Sequence, residues 1–100
     1  MGNGTAVPAE VDVATWATLS SVLRRIVDAV EDGQEGVLDL TGLSFIDGHG
    51  VRLIAEAARQ LGPSKRLVIR GAPKSLLRIG EILGLDREPG LRIEGADGIR

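Results

Sequence analysis

Cysteine is absent from the 100-residue chain, which excludes disulfides, thiolate metal sites and cysteine nucleophiles. The aromatic residues are Trp16 and Phe45, too few for a surface that stacks nucleic-acid bases. The net charge of −2 provides no basic footprint for a phosphate backbone. We therefore expect no binding to nucleic acid.

Long apolar stretches are missing as well. The apolar runs are short, and the N-terminus has no basic region followed by an apolar stretch. This pattern predicts neither a membrane span nor a secretory signal, so we expect no membrane contact. Together with the lack of cysteine, it predicts a cytoplasmic location.

The composition that remains is typical of one folded domain. Hydrophobic residues make up 43% of the chain and charged residues 26%, unlike the composition of disordered chains. A chain of this length buries about two-thirds of its unfolded surface, enough for one modest core. We expect a single domain over residues 1–100, with residues 1–4 either disordered or an addition to the natural chain.

Three segments have the apolar spacing of amphipathic helices. In the first, from Trp16 to Val30, we expect the Thr15 side chain to cap the first amides and Gly33 to follow the end in a left-handed conformation. The second segment covers Val51–Leu61 and ends at a Gly-Pro pair.

The third predicted helix has Pro73 in its first turn and ends at Gly84. Six apolar residues form its apolar side: Leu76, Leu77, Ile79, Ile82, Leu83 and Leu85.

Short β-rich segments alternate with these helices. We expect an edge strand within Thr5–Val13, where Pro8 cannot donate a ladder hydrogen bond, and strands at Gly36–Thr41, Leu67–Ile69 and Leu91–Glu94. The order β-α-β-α-β-α-β predicts an α/β fold: a mostly parallel, in part mixed, four-stranded sheet with three helices. So short a chain leaves some sheet surface or edge exposed.

The loop before the second helix carries the only histidine, His49, between Gly48 and Gly50. Loops at the carboxyl ends of parallel strands commonly bind ligands, and free amides at a helix start favour anions. The simpler interpretation is that Asp47 caps the helix, the glycines permit a tight turn and His49 is merely exposed. Both interpretations stay open on local evidence.

Catalysis by Ser44 as nucleophile, His49 as base and Asp47 as orienting group is disfavoured by their spacing. Neighbouring turn residues rarely point at one another, and so small a domain has little room for a substrate pocket. One histidine and one carboxylate are also too few ligands for zinc. We expect no enzymatic activity, no metal and no cofactor.

Two further features border this loop. A phosphate or nucleotide site at Gly48–Val51 stays an alternative, although neither a Walker motif nor a Gly-x-Gly-x-x-Gly fingerprint is present. Arg52 lies one turn into the predicted helix, where it either joins a recognition surface or pairs with Glu56 on a solvated face.

Three segments together resemble a STAS domain, the fold of bacterial anti-sigma-factor antagonists and of sulphate-transporter tails: Val37–Thr41, Phe45–Gly50 and Gly84–Asp86. The order of elements is similar too, and the resemblance extends over about residues 10–95. The family commonly has a further strand before the first helix. We expect that first strand to be missing here, which leaves an edge that favours a homodimer.

The resemblance implies docking rather than catalysis. In the antagonists, an Asp-Ser-Ser-Gly-like loop contacts an anti-sigma factor that is also a serine kinase. Phosphorylation of the second serine, which adds roughly −1.5 to −2 charges, breaks the complex. In this sequence Asp47 and Gly50 match the motif, whereas Gly48 and His49 replace the two serines. We therefore expect no phosphorylation at this position.

The sequence thus predicts a non-enzymatic interaction module that binds an anti-sigma factor or a kinase-like regulator. The residues expected to contact the partner are Ser44, Phe45, Asp47, Gly48, His49, Gly50 and Arg52. The alternative is an output domain of a larger signalling protein that binds a small anion or nucleotide at the same loop.

Overall fold

The structure, a computed structural model, describes residues 7–95. The expectation for residues 1–4 lies outside the described residues. The elements follow one another as β1 (Glu10–Val11), α1 (Trp16–Ala29), β2 (Glu35–Asp39), β3 (Phe45–Ile46), α2 (Gly48–Leu61), β4 (Arg66–Ala72), α3 (Lys74–Leu83), a 3-10 turn (Leu85–Arg87) and β5 (Leu91–Gly95). None of these helices is long and apolar enough to cross a bilayer.

The strands pair in two groups. β1 pairs with β3, and β2, β4 and β5 form a second group with β4 in the middle. Every pairing in this part of the chain is parallel. The α/β class, the parallel strands and the three helices are therefore confirmed.

The strand count differs from the expected four because Phe45–Ile46 forms a fifth strand. A two-residue strand is too short to show an alternating pattern, so hydrophobic periodicity does not predict it. Its pairing with β1 also separates the strands into two groups instead of one mixed sheet.

Both ends of α1 differ from the predicted capping. The Thr15 hydroxyl donates to the Glu10 carbonyl at 2.8 Å and accepts from the Asp12 amide at 3.1 Å, so it closes the preceding turn and does not cap the helix. Gly33 has the predicted positive φ of 81°. However, α1 already ends at Ala29, and the C-cap residue Val30 is extended. Gly33 therefore shapes the connection to β2.

The ends of the other helices are closer to expectation. Gly62 follows α2 with φ of 78° and Gly84 ends α3 in the left-handed conformation, as the sequence predicts. Pro73 is the N-cap of α3 and not a residue of its first turn. Proline fits there because its missing amide is not needed before the helix begins.

The core lies between the helices and one face of the strands. On β2 the buried residues alternate with exposed ones: Gly36 and Leu38 face inward, and a Cβ at Gly36 would lie 2.5 Å from Ile26 Cγ2 of α1. The opposite face of β2 exposes Val37 to 40%. The largest fully buried side chains are Leu19, Leu38, Leu40, Ile46, Ile54, Leu67, Ile69, Leu76, Val11, Val51 and Val68.

The predicted apolar side of α3 and of the 3-10 turn after it is only partly buried. Leu76 is fully buried and Leu85 nearly so, whereas Leu77, Ile82 and Leu83 are exposed to 40%, 77% and 41%. The apolar face of α3 is wider than the surface that it buries against the rest of the domain. Three large apolar side chains therefore remain at the surface.

Two alanine substitutions in α3 separate buried from exposed apolar residues. We expect Leu76→Ala to lower the free energy of unfolding by about 2–5 kcal/mol, because it leaves a cavity in the core. Ile82→Ala should change it by less than about 0.5 kcal/mol, because Ile82 is largely exposed. Urea unfolding of both variants measures the difference, and equal losses would contradict the described packing of α3.

Candidate functional site

The loop that enters α2 is attached to two other elements by its backbone. The Asp47 amide donates to the Val11 carbonyl of β1 at 3.0 Å. The Ile46 amide donates to Ser75 Oγ, near the start of α3, at 3.1 Å. The loop is therefore fixed between the first strand and the third helix.

The Asp47 carboxylate is held by two donors. Asp47 is the N-cap of α2, and its Oδ1 accepts from the Gly50 amide at 2.9 Å. The Trp16 indole Nε1–H of α1 donates to both carboxylate oxygens, each at 3.0 Å. The capping role considered in the sequence is confirmed, since an N-cap carboxylate satisfies a free amide and complements the positive end of the helix.

Trp16 belongs to the candidate site although its sequence position predicts only a place in the apolar stripe of α1. The one available signal is general, since a part-buried indole N–H usually finds an acceptor. The spacing of 31 residues between Trp16 and Asp47 carries no local signal. Only the packing of α1 against α2 brings them together.

His49 lies at the surface against the same indole. The two ring centroids are 4.1 Å apart, and the ring planes make an angle of 49°. Within residues 7–95, the His49 side chain makes no hydrogen bond. Trp16 thus supports the imidazole with one part of its ring system and the Asp47 carboxylate with its N–H.

The structure does not assemble a catalytic triad from Ser44, Asp47 and His49. The Ser44 hydroxyl donates to the Ala9 carbonyl at 3.1 Å, and Asp47 accepts from Trp16 where a triad aspartate would accept from the histidine. In the described part of the chain, no three His, Asp or Glu side chains come close enough together to hold a metal ion.

Phe45 and Gly50 occupy opposite sides of the loop. The Phe45 side chain is exposed to 44%, beside the buried Ile46. Gly50 is buried, and a Cβ there would lie 2.7 Å from both Ile46 Cγ1 and Val11 Cγ1. Gly48, by contrast, has open space where a Cβ would point.

Neither Gly48 nor Gly50 is among the described glycines with positive φ. The interpretation that the two glycines permit a tight turn is therefore wrong for both positions. Gly50 is needed for close packing, because its backbone lies against two core side chains. At Gly48, neither a positive φ nor close packing requires glycine.

Arg52 is exposed on the first turns of α2 and faces α3. It lines a groove of about 380 Å³ together with Leu83. Among the described residues, the ion pair of α2 joins Arg59 to Glu88 at 3.0 Å. The alternative in which Arg52 pairs with Glu56 is not formed there. Arg52 therefore borders the site on the side of α3.

The first residues of the loop are held by Asp39 at the end of β2. Its Oδ1 accepts from the Thr41 amide at 3.0 Å and from the Thr41 hydroxyl at 2.5 Å. The hydroxyl bond, then the amide bond, lower the pKa of Asp39 below 3.8, and the Arg70 guanidinium adds to this effect. Both ends of the loop are thus closed by an aspartate that accepts from the main chain.

These elements define a small α/β domain whose candidate site lies on the loop between β2 and α2. A family model described as "Mlab, STAS domain" matches residues 11–93. The chain therefore belongs to the STAS domain family, and the resemblance seen in the sequence is confirmed. No curated protein and no solved structure matches the chain.

Alanine at the two glycines tests the packing of the loop. We expect Gly50→Ala to lower the free energy of unfolding by about 1–3 kcal/mol, because the new Cβ overlaps Ile46 and Val11. Gly48→Ala should leave stability unchanged or raise it by up to about 1 kcal/mol, since alanine restricts the unfolded chain. Chemical denaturation distinguishes them, and a neutral Gly50→Ala would disprove the close packing.

Removal of the Thr41 hydroxyl tests what lowers the pKa of Asp39 at the β2 end of the loop. In Thr41→Val the largest cause of the shift is lost, so we expect the pKa of Asp39 to rise toward 3.8. A carbon-13 NMR titration of the carboxyl group measures it, with Ser44→Ala as the control that leaves the pKa lowered.

The same substitution has a consequence for acid stability. A lowered folded pKa stabilises the protein above pH 3.8, and this contribution is lost as the pH falls through the folded value. Thr41→Val should therefore be the less stable protein above pH 3.8, and the difference should shrink in more acid solution. A difference that grows on acidification would contradict the assignment.

Proposed function

We propose that this STAS domain is a non-enzymatic module that binds a protein partner through the entrance to α2. The observation that carries the proposal is the Asp47 carboxylate, which Trp16 and Gly50 hold in place while neighbouring side chains remain exposed. We call this region the docking surface; it consists of Ser44, Phe45, Asp47, Gly48, His49 and Arg52. Gly50, which the sequence also predicts as a contact, is buried beneath this surface and supports it.

The docking surface has the mixture of groups that protein interfaces use. Phe45 supplies an exposed aromatic side chain, and aromatic residues and arginine are enriched in interfaces. Asp47 and Arg52 supply charges of opposite sign. Because the loop is tied to β1, α1 and α3, its backbone loses little freedom when a partner binds.

The contacts of Asp47 argue against an anion-binding site and against hydrolysis at this loop. Asp47 already places a carboxylate at the positive end of α2, where an added phosphate or nucleotide would meet like charge. His49 lacks an orienting carboxylate, because that carboxylate accepts from Trp16. A protein surface therefore fits this site better than a small anion or a hydrolytic substrate.

The partner that we propose is a kinase-like regulator of the anti-sigma-factor type. Membership of the STAS family and the match of Asp47 and Gly50 to the Asp-Ser-Ser-Gly-like motif support this choice. His49 occupies the position of the phosphoacceptor serine and offers no hydroxyl to a serine kinase. The complex should therefore persist in the presence of ATP, and any control of it must act elsewhere.

Binding to a purified kinase-type anti-sigma factor from the same genome tests the proposal. We expect Phe45→Asp to weaken binding by about tenfold or more, because it places a charge in the centre of the interface. Ile82→Asp is the control: Ile82 is also an exposed large apolar residue but lies on α3, so this substitution should not change the affinity. Isothermal titration calorimetry measures both.

A serine substitution tests the assignment of His49 with the same partner. Wild-type protein should remain unphosphorylated with ATP, whereas the double variant Gly48→Ser/His49→Ser should be phosphorylated and released. Gly48 tolerates a side chain sterically, so the variant should fold. Equal loss of binding in Phe45→Asp and Ile82→Asp, or a melting-temperature rise with nucleotides alone, would contradict the docking proposal.

A further inference from the structure

The outer edge of β5 is open. β5 pairs with β4 on one side, and no strand of residues 7–95 pairs with its other side. The Gly90 carbonyl accepts from the Leu67 amide of β4 at 2.8 Å. Because main-chain groups alternate along a strand, those of Arg92 and Glu94 also point to β4, and those of Ile93 point outward.

The side chains of β5 carry a charge pattern on the face of the sheet that the helices leave open. Arg92 Nη2 lies 3.5 Å from Glu35 Oε1 and 3.6 Å from Glu94 Oε2. Arg70 Nε lies 3.4 Å from Glu94 Oε1. One basic and one acidic residue thus flank Ile93, two positions apart on the same face.

This pattern is complementary to itself in one orientation. If two β5 strands pair antiparallel about a two-fold axis at Ile93, Arg92 of each copy lies opposite Glu94 of the other. Parallel pairing in register would place like charges together. A two-fold axis at Leu91 is disfavoured, because the Leu91 amide already donates to the Glu88 carbonyl at 3.1 Å.

A groove on the other face of β5 adds an apolar contribution. The groove lies between β5 and α3, has a volume of about 470 Å³ and is lined by Leu76, Leu77 and Ile93 among others. Leu77 is exposed to 40%. A second strand along β5 would bring its own Ile93 to the mouth of this groove and cover part of the exposed surface of α3.

We propose that β5 is the interface of a homodimer, in which two copies join their sheets by antiparallel pairing centred on Ile93. The open main-chain groups give the pairing, the Arg92 and Glu94 side chains select the orientation, and the groove beside α3 buries apolar surface. The proposal does not depend on the docking surface or its partner.

Sedimentation velocity on the whole chain tests the proposal with a pair of charge reversals. Arg92→Glu places two glutamates opposite each other in each contact, and Glu94→Arg places two arginines there. We expect each variant alone to raise the dimer dissociation constant by about tenfold or more. An equimolar mixture should restore dimerisation, because every contact between the two variants again joins opposite charges.

Controls separate this effect from a loss of folding. Arg66→Glu reverses an exposed charge on β4, away from the edge, and should leave the dimer unchanged. Circular dichroism should show that all variants are folded. Wild-type protein that stays monomeric up to about 1 mM, beyond the range of specific association, would overturn the proposal. So would charge reversals that leave the dimer intact, or a mixture that remains monomeric.

Discussion

The hydrogen bonds of the Asp47 carboxylate are the interaction on which the site depends. They join the indole of α1 to the first turn of α2, so one charged group fixes two helices relative to the loop between β2 and α2. A carboxylate that accepts from several N–H groups is held more firmly than either bond alone would hold it. The same indole lies against the exposed ring of His49.

Close packing beneath the loop supports the same geometry. Gly50 brings the backbone of α2 within contact of Ile46 and Val11, and a larger residue would push α2 away from the short β1–β3 pair. Since Ser75 accepts from the Ile46 amide, α3 contributes as well. Four elements therefore position a surface of a few residues, which explains how so small a domain can present a rigid site.

The two proposed interfaces use different physical features. At the docking surface a buried framework presents exposed aromatic and charged groups, whereas at β5 an unpaired strand edge presents main-chain donors and acceptors. The ion pairs around Arg92 are partly exposed, and such pairs add little to the stability of a single chain. Their arrangement bears more on which orientation two copies adopt than on how firmly one copy folds.

The sequence by itself determined the order of helices and strands, the parallel class of the fold and the family. It also indicated Gly62 and Gly84 as helix ends and offered Asp47 as a cap, since these are local signals, although the cap stayed one of two interpretations until the structure showed it. It did not reveal β3, the hydrogen bonds by which the Thr15 hydroxyl closes the turn before α1, or the exposure of Ile82. The contact of Trp16 with Asp47 and His49 came only from the tertiary structure, since it depends on the packing of α1 against α2.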